Sequence, residues 1–190
     1  TNCSVDTGYN GGAIYQSSGS LNIEYNNFIN CNTSSYSRNG GNGGAICSTG
    51  SIYLNANSFQ SCAASNGGAV FLGGSSKVVN NFFTACQTFY DKDYPYGDGG
   101  AAYIYGNTDF ANNTFTGNVA TDQGSAIFLS SRSVFSPVKI YNSIFWANVS
   151  TNLGNVSQIE YEGYTDLLIY NCNIQRDGEK KVSYGNYVVP

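Results

Sequence analysis

The sequence predicts an all-β chain wound as a single right-handed parallel β-helix, a β-solenoid of about six coils. Three observations lead there. A Gly-Gly-Ala motif returns along the chain, an apolar, mostly aromatic residue follows each copy at a regular place, and the composition is too poor in helix formers to supply a helical repeat.

The glycine motif occurs as Gly11-Gly12-Ala13-Ile14, Gly43-Gly44-Ala45-Ile46, Gly67-Gly68-Ala69-Val70 and Gly99-Gly100-Ala101-Ala102, with the variant Gly124-Ser125-Ala126-Ile127. Downstream come Phe28, Phe59, Phe83, Phe115 and Phe145, then Ile174 in a decayed sixth copy. Five residues before these lie Ile23, Leu54, Val78, Phe110, Ile140 and Ile169, and three residues after them Cys31, Cys62, Cys86, Asn118, Asn148 and Asp177. A period of about 24 to 32 residues, filled by strand-like segments of about three to six residues between Gly and Asn, fits one turn of a solenoid. Equivalent residues then stack about 4.8 Å apart, so apolar positions form an inner column and Asn amides can bond along a ladder.

Each element follows from that register. The glycine pair marks a corner where φ is positive or a Cβ has no room, and the small Ala after it packs inward. Cys3, eight residues before Gly11, closes an earlier, truncated coil. The whole chain, 1–190, is one domain whose coils run over 1–7 in part, 8–32, 40–62, 66–86, 97–118, 123–148 and 155–177, with 178–190 a terminal strand or the start of a further coil. Extra residues between Thr33 and Asn42 and between Thr88 and Asp98 are loops on the wall, the places where solenoids carry binding sites.

Composition excludes several functions. The formal net charge is −4 and the basic residues form no cluster beyond Lys180 and Lys181, which disfavours nucleic acid and anionic lipid as partners. No apolar run approaches the about 18 residues of a membrane span. There is no His, so neither a zinc site of the usual kind nor a Cys–His nucleophile is available.

The pairing of GGA[I/V] with a downstream FxxN resembles the polymorphic outer membrane protein (Pmp) repeat. The residues carrying the resemblance are the GGAI, GGAV and GGAA motifs together with Phe115 to Asn118 and Phe145 to Asn148, and it spans residues 8 to 177. It implies a surface-exposed, passenger-like β-helix of the kind found in chlamydial adhesins and autotransporters. Three copies depart from the pattern, with Cys31, Cys62 and Cys86 where the family has Asn.

The expected role is an extracellular or cell-surface structural and adhesion scaffold without a catalytic residue or bound cofactor, partnered by other surface or extracellular proteins or glycans. Two alternatives stand beside it: a carbohydrate-active β-helix enzyme of the polysaccharide lyase or hydrolase kind, and a filament or coat subunit stacking end to end, for which Val182 to Val189 would begin a further strand. The acidic residues fall in loops or at different coil phases and are not expected to converge as a catalytic pair. Three of them, Asp91, Asp93 and Asp98, form a candidate Ca²⁺ loop that also presents Tyr90, Tyr94 and Tyr96 to a partner. The column of Cys3, Cys31, Cys62 and Cys86 admits two states, disulfides Cys3–Cys31 and Cys62–Cys86 or buried free thiols. Cys47 is expected to fill the core, and Cys172 has no evident mate. N-glycosylation sequons stand at Asn2, Asn32, Asn112 and Asn155, and a fifth, at Asn148, falls on the sheltered ladder.

Overall fold

In the computed structural model of the chain, residues 2–5, 9–33, 41–89, 97–130, 138–151, 157–162, 166–175, 182–183 and 187–188 are described. Their strands form four parallel sheets of six or seven strands, each sheet a wall of a right-handed solenoid. The first wall contains Ile14–Gln16, Ile46–Ser48, Val70–Leu72, Ala102–Ile104, Ile127–Leu129 and Ile159–Tyr161, each just after a glycine corner or its equivalent. The second contains Ser20–Glu24, Ser51–Asn55, Ser76–Val79, Thr108–Ala111, Val138–Tyr141 and Leu167–Tyr170. The aromatic strands, such as Phe82–Thr84 and Thr114–Thr116, make the third wall, and short strands such as Cys31–Thr33 and Val119–Ala120 close the coil as the fourth. Val182–Ser183 extends the first wall and Tyr187–Val188 the second, within the stretch for which the sequence leaves open a terminal strand or the start of a further coil. Among the described residues no helix is long and apolar enough to cross a membrane.

The strands are shorter than expected, two to five residues, because residues in the left-handed region end them at three corners per coil. One corner falls at the first glycine of each motif, with φ between 61° and 69° at Gly11, Gly43, Gly67, Gly99 and Gly124. The other two use residues with ordinary side chains except at Gly117. Tyr25, Ala56, Asn80, Asn112, Asn142 and Asn171 stand before the third wall, and Asn30, Ser61, Ala85, Gly117 and Ala147 after it, all at φ between 51° and 64°. Asn tolerates this region best among residues with a Cβ, which explains its frequency here. The second glycine of the motif answers a different need: a Cβ on Gly68 would lie 2.2 Å from the carbonyl oxygen of Gly100 on the next coil.

Burial follows the columns. Ile23, Leu54, Val78, Phe110, Ile140 and Ile169 join the core, and Phe28, Phe59, Phe83, Phe115 and Phe145 stack with centroids 4.6 to 4.9 Å apart and planes within 6°. Such parallel stacking of identical rings follows from the strand spacing, since each ring keeps one rotamer and shifts by one coil. Cys47 is buried as expected, but not in the central column, because it shares an outward column with Tyr15 and Phe71 while Ile46 beside it points inward.

Polar side chains inside the corners bond from coil to coil. Asn118 and Asn148 form the expected ladder: the Asn118 N–H donates to Asn148 Oδ1 at 2.9 Å, and their Nδ2 groups donate to the carbonyls of Phe83 and Phe115. The thiols of Cys62 and Cys86 point at the equivalent carbonyls, those of Phe28 and Phe59, at 3.6 and 3.7 Å. A cysteine therefore replaces the ladder asparagine as a weaker donor of the same direction. A second ladder, not anticipated from sequence, runs through Asn57, Asn81 and Asn113, where the Asn57 and Asn81 N–H groups each donate to the next Oδ1 at 2.9 Å.

Removing one ring from the middle of the stack leaves a cavity that neighbouring coils cannot close. Phe83→Ala should lower the unfolding free energy by about 3–5 kcal/mol, and Gly68→Ala should destabilise comparably through its clash with backbone. Denaturant unfolding followed by circular dichroism measures both, and a Phe83→Ala midpoint equal to wild type would contradict the shared interior.

Candidate functional site

Two places on the outside gather chemistry: a groove on the second wall and an acidic corner beside the first. The groove encloses about 350 Å³. Its floor is made by two columns of side chains that flank the inward residues Leu21, Ile52 and Ser76. Along the corner stand Ser20, Ser51, Ser75 and Asn107; two residues further along each strand stand Asn22, Tyr53, Lys77 and Asp109. The second column is continuous in register, Asn22 to Tyr53 to Lys77 to Asp109, one residue per coil. Beneath it, Ser76 Oγ and Thr108 Oγ1 are buried without a hydrogen-bond partner.

The acidic corner grows out of a third ladder. Asn10, Asn42, Asn66, Asp98 and Gln123 each precede a glycine motif. The Asn42 N–H donates to Asn10 Oδ1 at 2.8 Å, the Asp98 N–H to Asn66 Oδ1 at 3.2 Å, and the Gln123 N–H to Asp98 Oδ1 at 3.1 Å. Asp98 thus occupies an asparagine place. Burial pushes its carboxyl up to about 7; the Gln123 N–H works against this, and the carboxylates of Asp122, Glu162 and Glu160 add to it. These carboxylates belong to different coils. Coils of unequal length hide the fact that residues before one glycine corner and after a neighbouring strand share an edge. Glu160 itself is buried, with Ser157 Oγ donating to its Oε2 at 2.5 Å.

The remaining candidates divide. Asp91, Asp93, Tyr90, Tyr94 and Tyr96 lie outside the described residues, as does Asn155, and Asp98 turns into the ladder. No set of three or more Cys, Asp or Glu among the described residues is arranged to hold a metal. The ends of the two insertions are fastened, with Thr33 Oγ1 donating to Gly41 O at 2.9 Å and Thr88 Oγ1 to Gly97 O at 3.0 Å. Asn2 and Asn112 are exposed at coil corners, Asn32 is half-buried, and Asn148 is buried in its ladder. No disulfide joins the six cysteines in the structure; Cys3 and Cys31 are in register on neighbouring strands. Burial, with Cys62 and Cys3 nearby, pushes Cys31 up to about 12, and burial alone does the same to Cys47. The Cys62 thiol is also raised, by its hydrogen bond with Cys86 and by burial. None of these is poised as a nucleophile. Sequence reasoning missed Asn22, Tyr53, Lys77 and Asp109, although each stands six residues before a marker phenylalanine. It also missed the exposed apolar group Ile144, Trp146 and Val149 on a single coil.

Residues 114–130 match the Chlamydia polymorphic membrane protein repeat. The matched stretch begins at the aromatic strand Thr114–Thr116, includes the ladder residue Asn118 and ends just past the first-wall strand Ile127–Leu129, so it joins an FxxN unit to the glycine corner that follows. The repeat that the motifs resemble is therefore present in the chain, within the parallel solenoid expected of it. No curated protein and no solved structure matches the chain.

The Asp98 carboxyl binds its proton more tightly in the folded state than in an unfolded chain. The native protein therefore holds more protons between pH about 4 and about 7, and stability should fall as pH rises through that window. Asp98→Asn should flatten the slope, measured as Tm against pH. In the reduced protein, a thiol reagent at pH 8 should label the half-buried Cys3 and Cys172 before Cys31, Cys47 and Cys62, read by peptide mass spectrometry.

Proposed function

We propose that the chain is a non-catalytic scaffold of a cell-surface or extracellular protein and acts in adhesion through the outer walls of its solenoid. The repeat match at residues 114–130 carries the reading, since the named family consists of membrane proteins. The use of the interior supports it: rings, thiols and amides along the core are engaged in holding one coil on the next, which leaves the walls for recognition. Partners on this reading are surface or extracellular proteins, glycans, or a second copy stacked on a coil end. In an oxidising exterior Cys3 with Cys31 and Cys62 with Cys86 are the adjacent pairs for disulfides, and in a glycosylating host Asn2, Asn32, Asn112 and Asn155 are the acceptors.

The enzyme reading draws on Asp98, whose carboxyl titrates near neutrality beside other carboxylates as a general acid would. Its Oδ1 is taken by the Gln123 N–H, and its position is that of a ladder asparagine, so the shift has a structural cause.

Antibody labelling of intact cells that express the protein, together with attachment of cells to surfaces coated with it, tests the proposal. Labelling without permeabilisation and saturable attachment are expected. Labelling only after permeabilisation would overturn the surface assignment, and polysaccharide cleavage lost in Asp98→Asn would replace the scaffold by an enzyme.

A further inference from the structure

We propose that the groove on the second wall binds an extended, uncharged oligosaccharide lying along the solenoid axis. The inference goes beyond the adhesion reading, because it rests on the groove itself and names the chemistry of its ligand.

The shape of the floor comes first. Its two columns stand two residues apart along each strand, or about 7 Å, and four coils give it a length of about 14 Å. A ribbon of those dimensions accommodates a flat chain of about three pyranose rings. The coil rise of about 4.8 Å is close to the length one ring occupies in an extended glycan, so successive rings would meet one row of side chains after another. A helical glycan would leave the floor after a single turn.

The chemistry of the floor agrees with a hydroxyl-rich ligand. Ser20, Ser51 and Ser75 offer hydroxyls that both donate and accept, and Asn22 offers an amide that does the same. Tyr53, half-buried at the middle of the outer column, presents an apolar ring face beside them, on which the C–H face of a sugar can rest. Lys77 and Asp109 are neighbours in register, so their opposite charges cancel over the groove. A polyanion would meet Asp109 and gain only one cation.

An extended peptide is disfavoured for a reason of backbone. Ser51–Asn55 and Ser76–Val79 are each paired on both sides, and the unpaired side of the end strand Ser20–Glu24 faces away from them, so strand addition cannot lay a peptide in the groove. Recognition there falls to side chains, and these are hydroxyls, amides, one phenol and the oppositely charged pair Lys77 and Asp109.

The test titrates the intact chain with mannohexaose, xylohexaose and hexa-N-acetylchitohexaose, and in parallel with maltohexaose, a heparin hexasaccharide and a Ser- and Asn-rich hexapeptide, followed by calorimetry and NMR. At least one of the three extended uncharged hexasaccharides should bind with a Kd below about 1 mM. Tyr53→Ala and Asn22→Ala should each weaken that binding by about tenfold, while Tyr141→Ala, an exposed ring outside the groove, should leave it unchanged. Each variant is first matched to wild type in circular dichroism and Tm; should Tyr53→Ala unfold, Asn22→Ala alone decides. Absence of binding by all three, equal affinity in the groove variants, or preference for maltohexaose, heparin or the peptide would overturn the proposal. Surface labelling of cells is unaffected by any of these results, so failure here is distinguishable from failure of the scaffold reading.

Discussion

The structure depends on one constraint: each coil must present to the next a surface compatible with itself at the spacing of parallel strands, about 4.8 Å. Identical or similar residues at one phase satisfy it best, because the same rotamer repeated by translation fills the same space. The five stacked phenylalanines express this most plainly, with planes within 6° of one another. Single-coil exceptions carry a cost. Ser76 and Thr108 place hydroxyls where Ile52 puts a hydrocarbon, and both hydroxyls are left without partners; a buried unsatisfied polar group costs about 1–3 kcal/mol.

Corners obey the same constraint in another currency. A left-handed residue turns the chain, and the residue after it points inward and must satisfy a backbone group of the adjacent coil. An asparagine does both halves, accepting an N–H and donating to a carbonyl, as the Asn118 side chain does with the Cys86 N–H and the Phe83 carbonyl. Cysteine supplies only the donor, weakly, but is small and at home in an apolar column, so Cys62 and Cys86 keep the direction of the bond while extending the hydrophobic interior. Aspartate supplies only the acceptor unless protonated, and burial in an amide's place pushes the Asp98 carboxyl up to about 7. The outside, freed from these duties, is where residues vary from coil to coil and where the groove lies.

Much of this was legible in the chain itself. The glycine pairs, the marker phenylalanines and the apolar residues five places before them follow from local periodicity, and the structure puts all three in register. The ladder after the phenylalanine was legible too, because Asn118 and Asn148 share a phase with three cysteines. Less was legible where the pattern breaks. The Asn57, Asn81, Asn113 ladder continues as Ser143, which donates to Tyr141 O instead of repeating an amide. Cys47 shares a column with the aromatics Tyr15 and Phe71, and phase alone does not say that this column lies outside the central cluster.

The sequence by itself determined the period, the inward columns and the all-β solenoid, because stacking translates each residue onto its equivalent and so writes the fold as repetition along the chain. Only the tertiary structure decided what stands side by side on the outer walls. Asn22, Tyr53, Lys77 and Asp109 have unlike side chains 24 to 32 residues apart, and no similarity of type announces their adjacency. Asp98 and Glu160 lie on different coils separated by insertions of unequal length, so counting cannot bring their charges together. Interior positions repeat because packing demands likeness, whereas exterior positions need only avoid collision, and their neighbours are known only once the coils are wound.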